Sequence, residues 1–564
     1  MTAAAAVGAD AEATKVRSPG QARKLDSLFT AAMRMTGQRT SGDSSPSERR
    51  RPVKCGLSLA NQIRVRLAQF SPEQRILLSK MVFRPVLPLY AISPNGRFRI
   101  HYTLTGSDAV SGVDADGNGV PDYVDVAANS LETAYRVEVE ELGFKAPPAD
   151  DADGPEWDLY IENVNDSYGS TMPDRLLGVN PDVFTSYMQV DNGYESTDTK
   201  GLNGLRITIA HEFFHMIQLG YNARSDQNGD FTDLFLWEAS CTWMEDVVFD
   251  GINDYYFYLD DFFKTNNKRF DTADGWREYG LCLWFHFLEK HLGTRSFVLS
   301  IWNQLYQAEA VEANDRALRN FGTTFSDELG LFYAWNTMTG TRADTVRFYP
   351  EGNAYPEITP DGTYSLDEKR DLSADVTTTG SQVHTFDDPS GDRYTFVFTN
   401  VRRTDSDDSD PISLTLAEVR QPSTIRIDNF LYARVTDESK TNWRNTVIVE
   451  KTGAGISMKT LDDSTSSFDA GKLPACIPNP LDFSKGNSIR IPFRMETNAL
   501  VHLFIFTASG YKIQEFTESK NAGLTEIEWG GTDSAGRPVP GGIYLYAIVA
   551  DGKVVRMDKI AVVR

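Results

Sequence analysis

The chain has 564 residues, of which 41% are hydrophobic, and a formal net charge of −23 at pH 7. That length exceeds what one hydrophobic core usually serves, so it predicts several domains. The negative charge argues against a nucleic-acid partner or an anionic membrane surface, because neither would attract the chain. No apolar run reaches the roughly 18 residues of a membrane-spanning helix.

The N-terminal region divides into two predicted segments. Residues 1–52 are rich in Ala, Ser, Arg and Gly without hydrophobic periodicity, which predicts a disordered segment or tail. The opening residues of the chain lack the basic and apolar regions of a signal peptide. Residues 53–95 carry helical patterns, with Ser71 as an N-cap and Pro72 in the first turn. We expect this segment to be either a propeptide or a brace for the next domain.

An aspartate-rich stretch at residues 114–125 has the spacing of a calcium-binding loop. Gly119 stands where such a loop turns sharply, and a hard cation needs many oxygen ligands at short range. The predicted Ca²⁺ ligands are Asp114, Asp116, Asn118, Val120 through its backbone oxygen, Asp122 and Asp125. Asp125 replaces the usual Glu, as in dockerin and thrombospondin-type loops. We expect a structural ion; a metal-free surface turn is the alternative.

The helical pattern that follows contains an H-E-x-x-H motif, with His211, Glu212 and His215. The two histidines lie about 6 Å apart along a helix and point the same way. Two imidazoles at this spacing bind zinc, and Glu212 can reach a water on the metal. A second helical pattern offers Glu238 as the third ligand, which leaves the open position that a catalytic zinc requires. The alternative is a pair of core histidines on an amphipathic helix.

Together with the second segment, Trp237-Glu-Ala to Trp243-Met-Glu, this motif resembles the gluzincin metallopeptidases. In aminopeptidases of that clan the third ligand lies in an N-E-G-F-A stretch, with another Glu seven residues later. Glu238 and Glu245 match those two positions, whereas Ala239 and Ser240 replace the usual Gly and apolar residue.

The resemblance implies a zincin-like mixed α/β catalytic domain over residues 96–345 and a secreted zinc metalloendopeptidase. In that reaction zinc lowers the pKa of its bound water to about 7, and Glu212 acts as general base. Gluzincins place a Tyr or His from a later helix opposite the zinc. Tyr279 is therefore the candidate oxyanion donor, although a packed tyrosine is an equal alternative. We expect Glu245 to orient a zinc-bound histidine.

The four cysteines form no Cys-x-x-Cys pair, so a cysteine-ligated zinc site is not expected. Cys241 and Cys282 each lie on a helix near the expected active site. A disulfide between them and two buried free thiols are both compatible with the sequence.

The C-terminal part is predicted to be all-β. Residues 346–472 show short alternating strands typical of a β-sandwich, and residues 473–564 show strands separated by glycine turns, with Val501, Leu503 and Ile505 on one face. The last block resembles Ig-like modules of the flagellar-hook-cap type and C-terminal sorting domains of type nine secretion. The predicted fold class is therefore multidomain α+β, with a zincin-like domain followed by two all-β sandwich domains.

The resemblances imply a bacterial protein that is secreted or at the cell surface and acts on proteins or peptides. Its C-terminal domain is expected to contact secretion machinery or the cell surface. Two rival hypotheses remain: a cell-surface binding or structural protein with a vestigial zinc site, and a zinc hydrolase that cleaves another bond.

Overall fold

The structure is a computed structural model, and it divides the chain into two compact units, residues 1–365 with 375–443 and residues 366–374 with 444–564. The residues that it describes are 19–35, 52–150, 152, 154–165, 167–178, 182–365, 370–387, 393–401, 412–420, 424–432, 442–452, 455–460, 481–482, 488–495, 497–507, 512–521, 523–550 and 553–563.

The N-terminal part forms a small helical cluster. Its elements are α1 (Pro19–Met35), strand β1 (Val53–Cys55), α2 (Leu57–Arg66) and α3 (Pro72–Val82). The predicted start of α3 is confirmed: Ser71 accepts a hydrogen bond from the backbone of Gln74, and the Gln74 side chain accepts one from the backbone of Ser71. The apolar face of α1 packs against α2 and α3, with contributions from Leu25, Leu28, Ala32, Met33, Ile63, Phe70 and Leu78.

Within residues 1–52, predicted to be a disordered segment or a tail, residues 19–35 form a helix and are not disordered. Helix α1 has an apolar stripe that is buried only when α2 and α3 pack against it. Residues 1–18 and 36–51 lie outside the described part of the chain.

A six-stranded mixed sheet forms the centre of the first unit. Its further strands are β2 (Leu89–Ile92), β3 (Phe98–Tyr102), β4 (Trp157–Glu162), β5 (Ser167–Gly178) and β6 (Val183–Asp191). The order is β1-β5-β6-β4-β3-β2. Strands β3, β4 and β6 are parallel, whereas β5 runs antiparallel to β6. The short β1 pairs in parallel with β5 and so forms the edge of the sheet beyond it.

Three helices near this sheet carry candidate metal-binding residues. They are α4 (Asp122–Tyr135), which continues as a π-helical turn at Arg136–Glu141, α5 (Gly201–Leu219) and α6 (Leu234–Val248). Helix α5 contacts β5, β6, α4 and α6. Because it is surrounded, nearly every side chain from Gly204 to Leu219 is buried, which explains why the helix is apolar on all faces.

An aromatic-rich helical layer follows. Its elements are α7 (Tyr256–Lys264), α8 (Arg277–Gly280), α9 (Cys282–Leu292), α10 (Ser296–Gln304), α11 (Ala310–Arg319) and α12 (Phe325–Trp335). The ring of Trp284 on α9 packs edge-on against Phe270 and Phe332 at centroid distances of 5.1 and 5.4 Å. These contacts continue the hydrophobic core that contains α5 and the sheet.

After α12 and a 3-10 turn at Gly340–Arg342, the described elements are strands. The first of these strands are β7 (Gly362–Ser365), β8 (Arg370–Thr377), β9 (Ser381–Asp387), β10 (Arg393–Thr399), β11 (Ile412–Arg420), β12 (Thr424–Tyr432), β13 (Asn442–Thr452) and β14 (Gly455–Thr460). One sheet has the order β12-β11-β10-β9-β7, and another has the order β14-β13-β8.

The last strands belong to the second unit. They are β15 (Leu481–Asp482), β16 (Ile489–Met495), β17 (Ala499–Thr507), β18 (Lys512–Lys520), β19 (Gly523–Trp529), β20 (Gly542–Ala550) and β21 (Lys553–Val563). Their sheets have the orders β15-β21-β20-β17-β18 and β16-β19. Val501, Leu503 and Ile505 are buried together, as predicted.

The structure therefore has a mixed α+β architecture with more than one domain. The boundary predicted between residues 472 and 473 lies outside the described residues. Among the residues that are described, no helix has both the length and the apolar character needed to cross a bilayer.

Candidate metal centre

Helices α5 and α6 bring the three predicted zinc ligands together. The Nε2 atom of His211 lies 3.2 Å from Oε2 of Glu238, and the Nε2 atom of His215 lies 3.5 Å from the same oxygen. All three side chains are buried. The proximity that the predicted site requires is thus present, and the metal-binding role of these residues stays a prediction.

The second ring nitrogen of each histidine is held by another side chain. Nδ1 of His211 is 2.7 Å from Oε1 of Glu245, and Nδ1 of His215 is 2.7 Å from Oε1 of Gln218. The amide nitrogen of Gln218 donates to Trp237 O and to Ser240 Oγ, which fixes the side chain in place. Both imidazoles therefore turn Nε2 towards Glu238, the arrangement that outer hydrogen bonds produce around metal-bound histidines.

Cys55, at the end of β1, completes the cluster. Its Sγ lies 3.4 Å from Nε2 of His215, and the donor atoms of Cys55, His211, His215 and Glu238 all lie within 4.8 Å of one another. A cysteine at this position was not predicted from the sequence. Cys55 and His215 are 160 positions apart, and no spacing rule connects them.

Glu212 lies beside this cluster on the face of α5 that meets β5. Its Oε2 accepts a hydrogen bond of 2.8 Å from Thr171 Oγ1, whereas its buried Oε1 has no hydrogen-bond partner. A Cβ on Gly169 would come within 2.7 Å of Thr208 Cγ2 and 2.9 Å of Gln189 O. Only glycine therefore permits α5 to lie so close to β5, and the approach places Glu212 at the site.

Mutual attraction favours the charged forms of Glu238 and His211, and a metal ion would take the place of the proton on the His211 imidazole. Burial alone would raise the pKa of Glu238, but the imidazoles of His215 and His211 lower it to about 2. Burial alone would lower the pKa of His211, but Glu238 and Glu245 raise it to about 9. Burial raises the pKa of Glu212 above its ordinary value, although His211 and His215 oppose the shift. A carboxyl with a raised pKa is suited to accept a proton.

The donor set fits zinc. Two imidazole nitrogens, one carboxylate oxygen and one sulfur are the ligand types that Zn²⁺ takes in proteins. Ligands about 2.0–2.3 Å from a tetrahedral centre lie roughly 3.3–3.8 Å from one another. Of the six separations among the four donor atoms, those of 3.2, 3.4 and 3.5 Å agree with that geometry, and all six are within 4.8 Å. Burial raises the pKa of the Cys55 thiol, and a bound cation reverses that effect because a coordinating thiol is deprotonated.

Tyr279 lies on α8 next to the same cluster. Its ring is 6.4 Å from that of His211 and 5.0 Å from that of Tyr258, between centroids. Burial raises the pKa of its phenol, with Glu238 and Cys55 adding to the effect, so the phenol remains protonated. Its role as an oxyanion donor stays a prediction.

The predicted calcium loop forms an exposed turn before α4. Asp114, Asp116 and Asp122 bring carboxylate oxygens within 4.8 Å of one another. Gly119 has a φ of +87°, the left-handed conformation expected for the sharp turn. The carboxylate of Asp114 accepts hydrogen bonds from the backbones of Gly117, Asn118 and Gly119, which lower its pKa. Binding of Ca²⁺ stays a prediction.

The cysteines that the sequence left undecided are free thiols. Cys241 and Cys282 are buried and are not bonded to each other. The Sγ of Cys241 lies 3.3 Å from Nδ1 of His215 and accepts a 3.2 Å hydrogen bond from Gln218 Nε2, so it packs behind the histidine. Cys476 lies outside the described residues.

Neither a protein-family model nor a curated protein matches the chain. Among solved structures, it is similar to PorZ, a bacterial surface component of the type-IX secretion system of Porphyromonas gingivalis, with 16% identity and a TM-score of 0.13 over 33% of this chain and 23% of that one. It is also similar to dimeric latent PorU from the same organism, with 15% identity and a TM-score of 0.14 over 36% of this chain and 19% of that one. The matched regions span less than a quarter of either protein.

Proposed function

We propose that the chain is a zinc-dependent metalloendopeptidase of the gluzincin type. The observation that carries this proposal is the meeting of Glu238 with both imidazoles of the H-E-x-x-H motif, next to a buried Glu212 with one unpaired oxygen. A cluster of this kind fulfils the requirements for zinc and for a general base at one place.

The residues of the chain divide the chemistry between them. His211, His215 and Glu238 would hold the zinc, which supplies a Lewis acid and lowers the pKa of water to about 7. Glu212 takes the proton of the attacking water and delivers it to the leaving amine. Thr171 holds one carboxylate oxygen of Glu212 at 2.8 Å, so the other oxygen is directed to the proton transfer. Tyr279 donates a hydrogen bond to the oxygen on which charge develops.

The second candidate is a binding or structural protein with a non-catalytic zinc site. The position of Cys55 favours it, since four protein ligands close a zinc site, as in structural centres. An endopeptidase requires Cys55 to leave its position so that water can bind the metal, whereas a structural site requires Cys55 to stay.

The test measures zinc content and casein hydrolysis of the full chain in a Cys55→Ser background, in which the sulfur is absent. We expect one zinc per chain and hydrolysis that a chelator abolishes. Adding Glu212→Gln should retain the zinc and reduce hydrolysis by about 10²- to 10⁴-fold. The exposed Glu140→Gln is the matched control and should change neither. Hydrolysis that survives Glu212→Gln, or zinc-loaded Cys55→Ser protein without any hydrolysis, would contradict the proposal.

We also propose that Asp114, Asp116, Asn118, Val120, Asp122 and Asp125 bind a structural Ca²⁺. The supporting observation is the convergence of three carboxylates around a turn with Gly119 in the left-handed conformation.

Export of the protein, with contact to secretion machinery or the cell surface through residues 473–564, rests on the resemblance of that region to modules of exported bacterial proteins. Fractionation of cells that produce the chain tests it: recovery only from the cytoplasm would contradict it.

A further inference from the structure

We infer that Val53–Cys55 is a built-in inhibitory plug: the Cys55 thiolate takes the fourth position of the metal centre, and β1 covers the edge of β5 along which a peptide substrate would add as a strand. This inference rests on the proposed peptidase function and concerns the regulation of the same site.

The first observation is the position of the sulfur. Cys55 Sγ lies 3.4 Å from Nε2 of His215, inside the set of four donors. The backbone N–H of Leu57 points to it at 3.4 Å, which favours a thiolate. A catalytic zinc needs an open position for water, whereas four protein ligands leave none. With Cys55 as the fourth ligand, no water can bind the metal, and the centre cannot catalyse hydrolysis.

The second observation is the sheet edge. Strand β1 pairs in parallel with β5 through Val53 opposite Ser167 and Cys55 opposite Gly169. The backbone N–H of Gly56 adds a hydrogen bond of 3.0 Å to Gly169 O. Gly169 is also the residue that lies against Glu212. The edge of β5 that runs past the general base is thus occupied by this chain's own backbone.

Such an edge is where an extended peptide would bind. A strand whose backbone groups are unpaired offers a row of hydrogen bonds to a peptide, which then adds to the sheet. If β1 leaves, this row becomes free at the same time as the fourth metal position. The plug therefore competes with the substrate for the β5 edge and with water for the fourth metal position.

The third observation is an anchor for β1, formed by the ion pairs of Lys54, which lies between Val53 and Cys55. Lys54 Nζ lies 2.8 Å from Glu245 Oε2 and 2.5 Å from Asp254 Oδ2, and all three side chains are buried. Burial alone would lower the pKa of Lys54, but the two carboxylates raise it, so the ammonium stays charged. Glu245 also holds Nδ1 of His211. A buried ammonium must stay paired, so the strand is held in the register that pairs Lys54 with both carboxylates, and this register places Cys55 at the metal centre.

Opening requires no oxidant or other co-reactant. The sulfur–metal bond breaks, the thiolate takes up a proton from solvent, and water enters the fourth position. When β1 leaves, Glu245 and Asp254 stay buried without their counter-charge, which makes opening costly and the closed form the resting state.

The test uses the full chain, Cys55→Ser and Cys282→Ser, each loaded with Co²⁺ in place of zinc. Cys282 is a second buried free thiol outside the donor cluster, so it is the matched control. We expect a thiolate-to-cobalt charge-transfer absorption in the unmodified chain and in Cys282→Ser, and its loss in Cys55→Ser. The zinc forms are then assayed on casein, where Cys55→Ser should be at least about tenfold faster than the other two.

The outcomes separate the plug from the proposed function. Absence of the absorption from the cobalt-loaded, unmodified chain overturns the inference and needs no variant to fold. Absorption lost in Cys55→Ser but equal casein hydrolysis in all three proteins also overturns it, while the peptidase proposal stands. If none hydrolyses casein, the peptidase proposal fails and the inhibitory role fails with it, whereas the absorption still reports whether Cys55 is a ligand.

A second variant keeps the cysteine. Lys54→Gln removes the anchor but no metal donor, so it should retain the cobalt absorption and make Cys55 react faster with an alkylating reagent in the metal-loaded protein. Reaction at the rate of the unmodified chain would show that the ion pairs do not hold the plug and would overturn that part of the inference.

Discussion

The two candidate metal sites of this protein are built in opposite ways. The candidate calcium loop takes all its donors from residues 114–125, is exposed, and holds the Asp114 carboxylate with backbone hydrogen bonds inside the same turn. The candidate zinc centre takes its donors from β1, α5 and α6, is buried, and has its histidines oriented by Gln218 and Glu245. A local site follows from spacing, whereas an assembled site depends on every element that packs around it.

This difference decides how each site should respond to change. In the exposed loop, the loss of one oxygen should affect only the bound ion. In the buried centre, the loss of one donor also leaves charged or polar neighbours without partners, which costs about 1–3 kcal/mol for each group. The following predictions test that contrast, from the largest expected effect to the smallest.

Removal of Glu238 should abolish the zinc centre. Glu238→Ala deletes the oxygen that both imidazoles approach at 3.2 and 3.5 Å. We expect zinc affinity to fall by more than about 100-fold, because a ligand contributes more than an outer partner does. Competition with a chromophoric chelator measures the affinity. Retention of stoichiometric zinc at unmodified affinity would show that Glu238 is not a ligand and that the buried centre is not assembled as proposed.

The close contact of β5 with α5 should tolerate no side chain at Gly169. Gly169→Ala brings a Cβ to 2.7 Å from Thr208 Cγ2, so we expect the free energy of unfolding to fall by about 1–3 kcal/mol. Denaturant unfolding measures it. Gly178 lies on the same strand with nothing within 4 Å of an added Cβ, and Gly178→Ala is the matched control. Equal stability of the two variants would contradict the tight approach that carries Glu212 to the site.

Glu245→Gln should weaken the zinc centre without removing a donor. The substitution leaves a weaker acceptor for Nδ1 of His211 and takes one counter-charge from Lys54. We expect a loss of zinc affinity of about 10- to 100-fold. The same chelator competition measures it, and the exposed Glu140→Gln should have no effect. An unchanged affinity would mean that the orientation of His211 does not depend on Glu245.

The calcium loop should give the smallest effect and one that stays local. Added Ca²⁺ at ten times its dissociation constant should stabilise the unmodified chain by about 1.4 kcal/mol. Asp114→Ala should remove this gain and leave the zinc content unchanged; the exposed Asp260→Ala should keep the gain. Thermal unfolding with and without Ca²⁺ measures it. A chain that Ca²⁺ does not stabilise, or an Asp114→Ala variant that loses zinc, would break the contrast between the two sites.

The local features of the site could be predicted from the sequence because they depend on one helix or one loop. His211 and His215 share a face through the spacing of an α-helix, and the order of the aspartates in the loop sets their convergence. The prediction of Glu238 as a ligand depended on the resemblance of its segment to the third-ligand segment of gluzincins, since no spacing rule joins α5 to α6. The fold could be predicted only as a class, because strand order depends on pairings between distant residues.

The sequence by itself determined which residues have the chemistry for zinc, for proton transfer and for calcium, because those properties belong to side-chain type and short-range spacing. Only the tertiary structure decided that Cys55 closes the donor set, that Thr171 holds Glu212, and that α1 folds. The physical reason is the same for all three: each depends on packing or pairing between elements far apart in the chain, and such contacts leave no periodicity in the sequence.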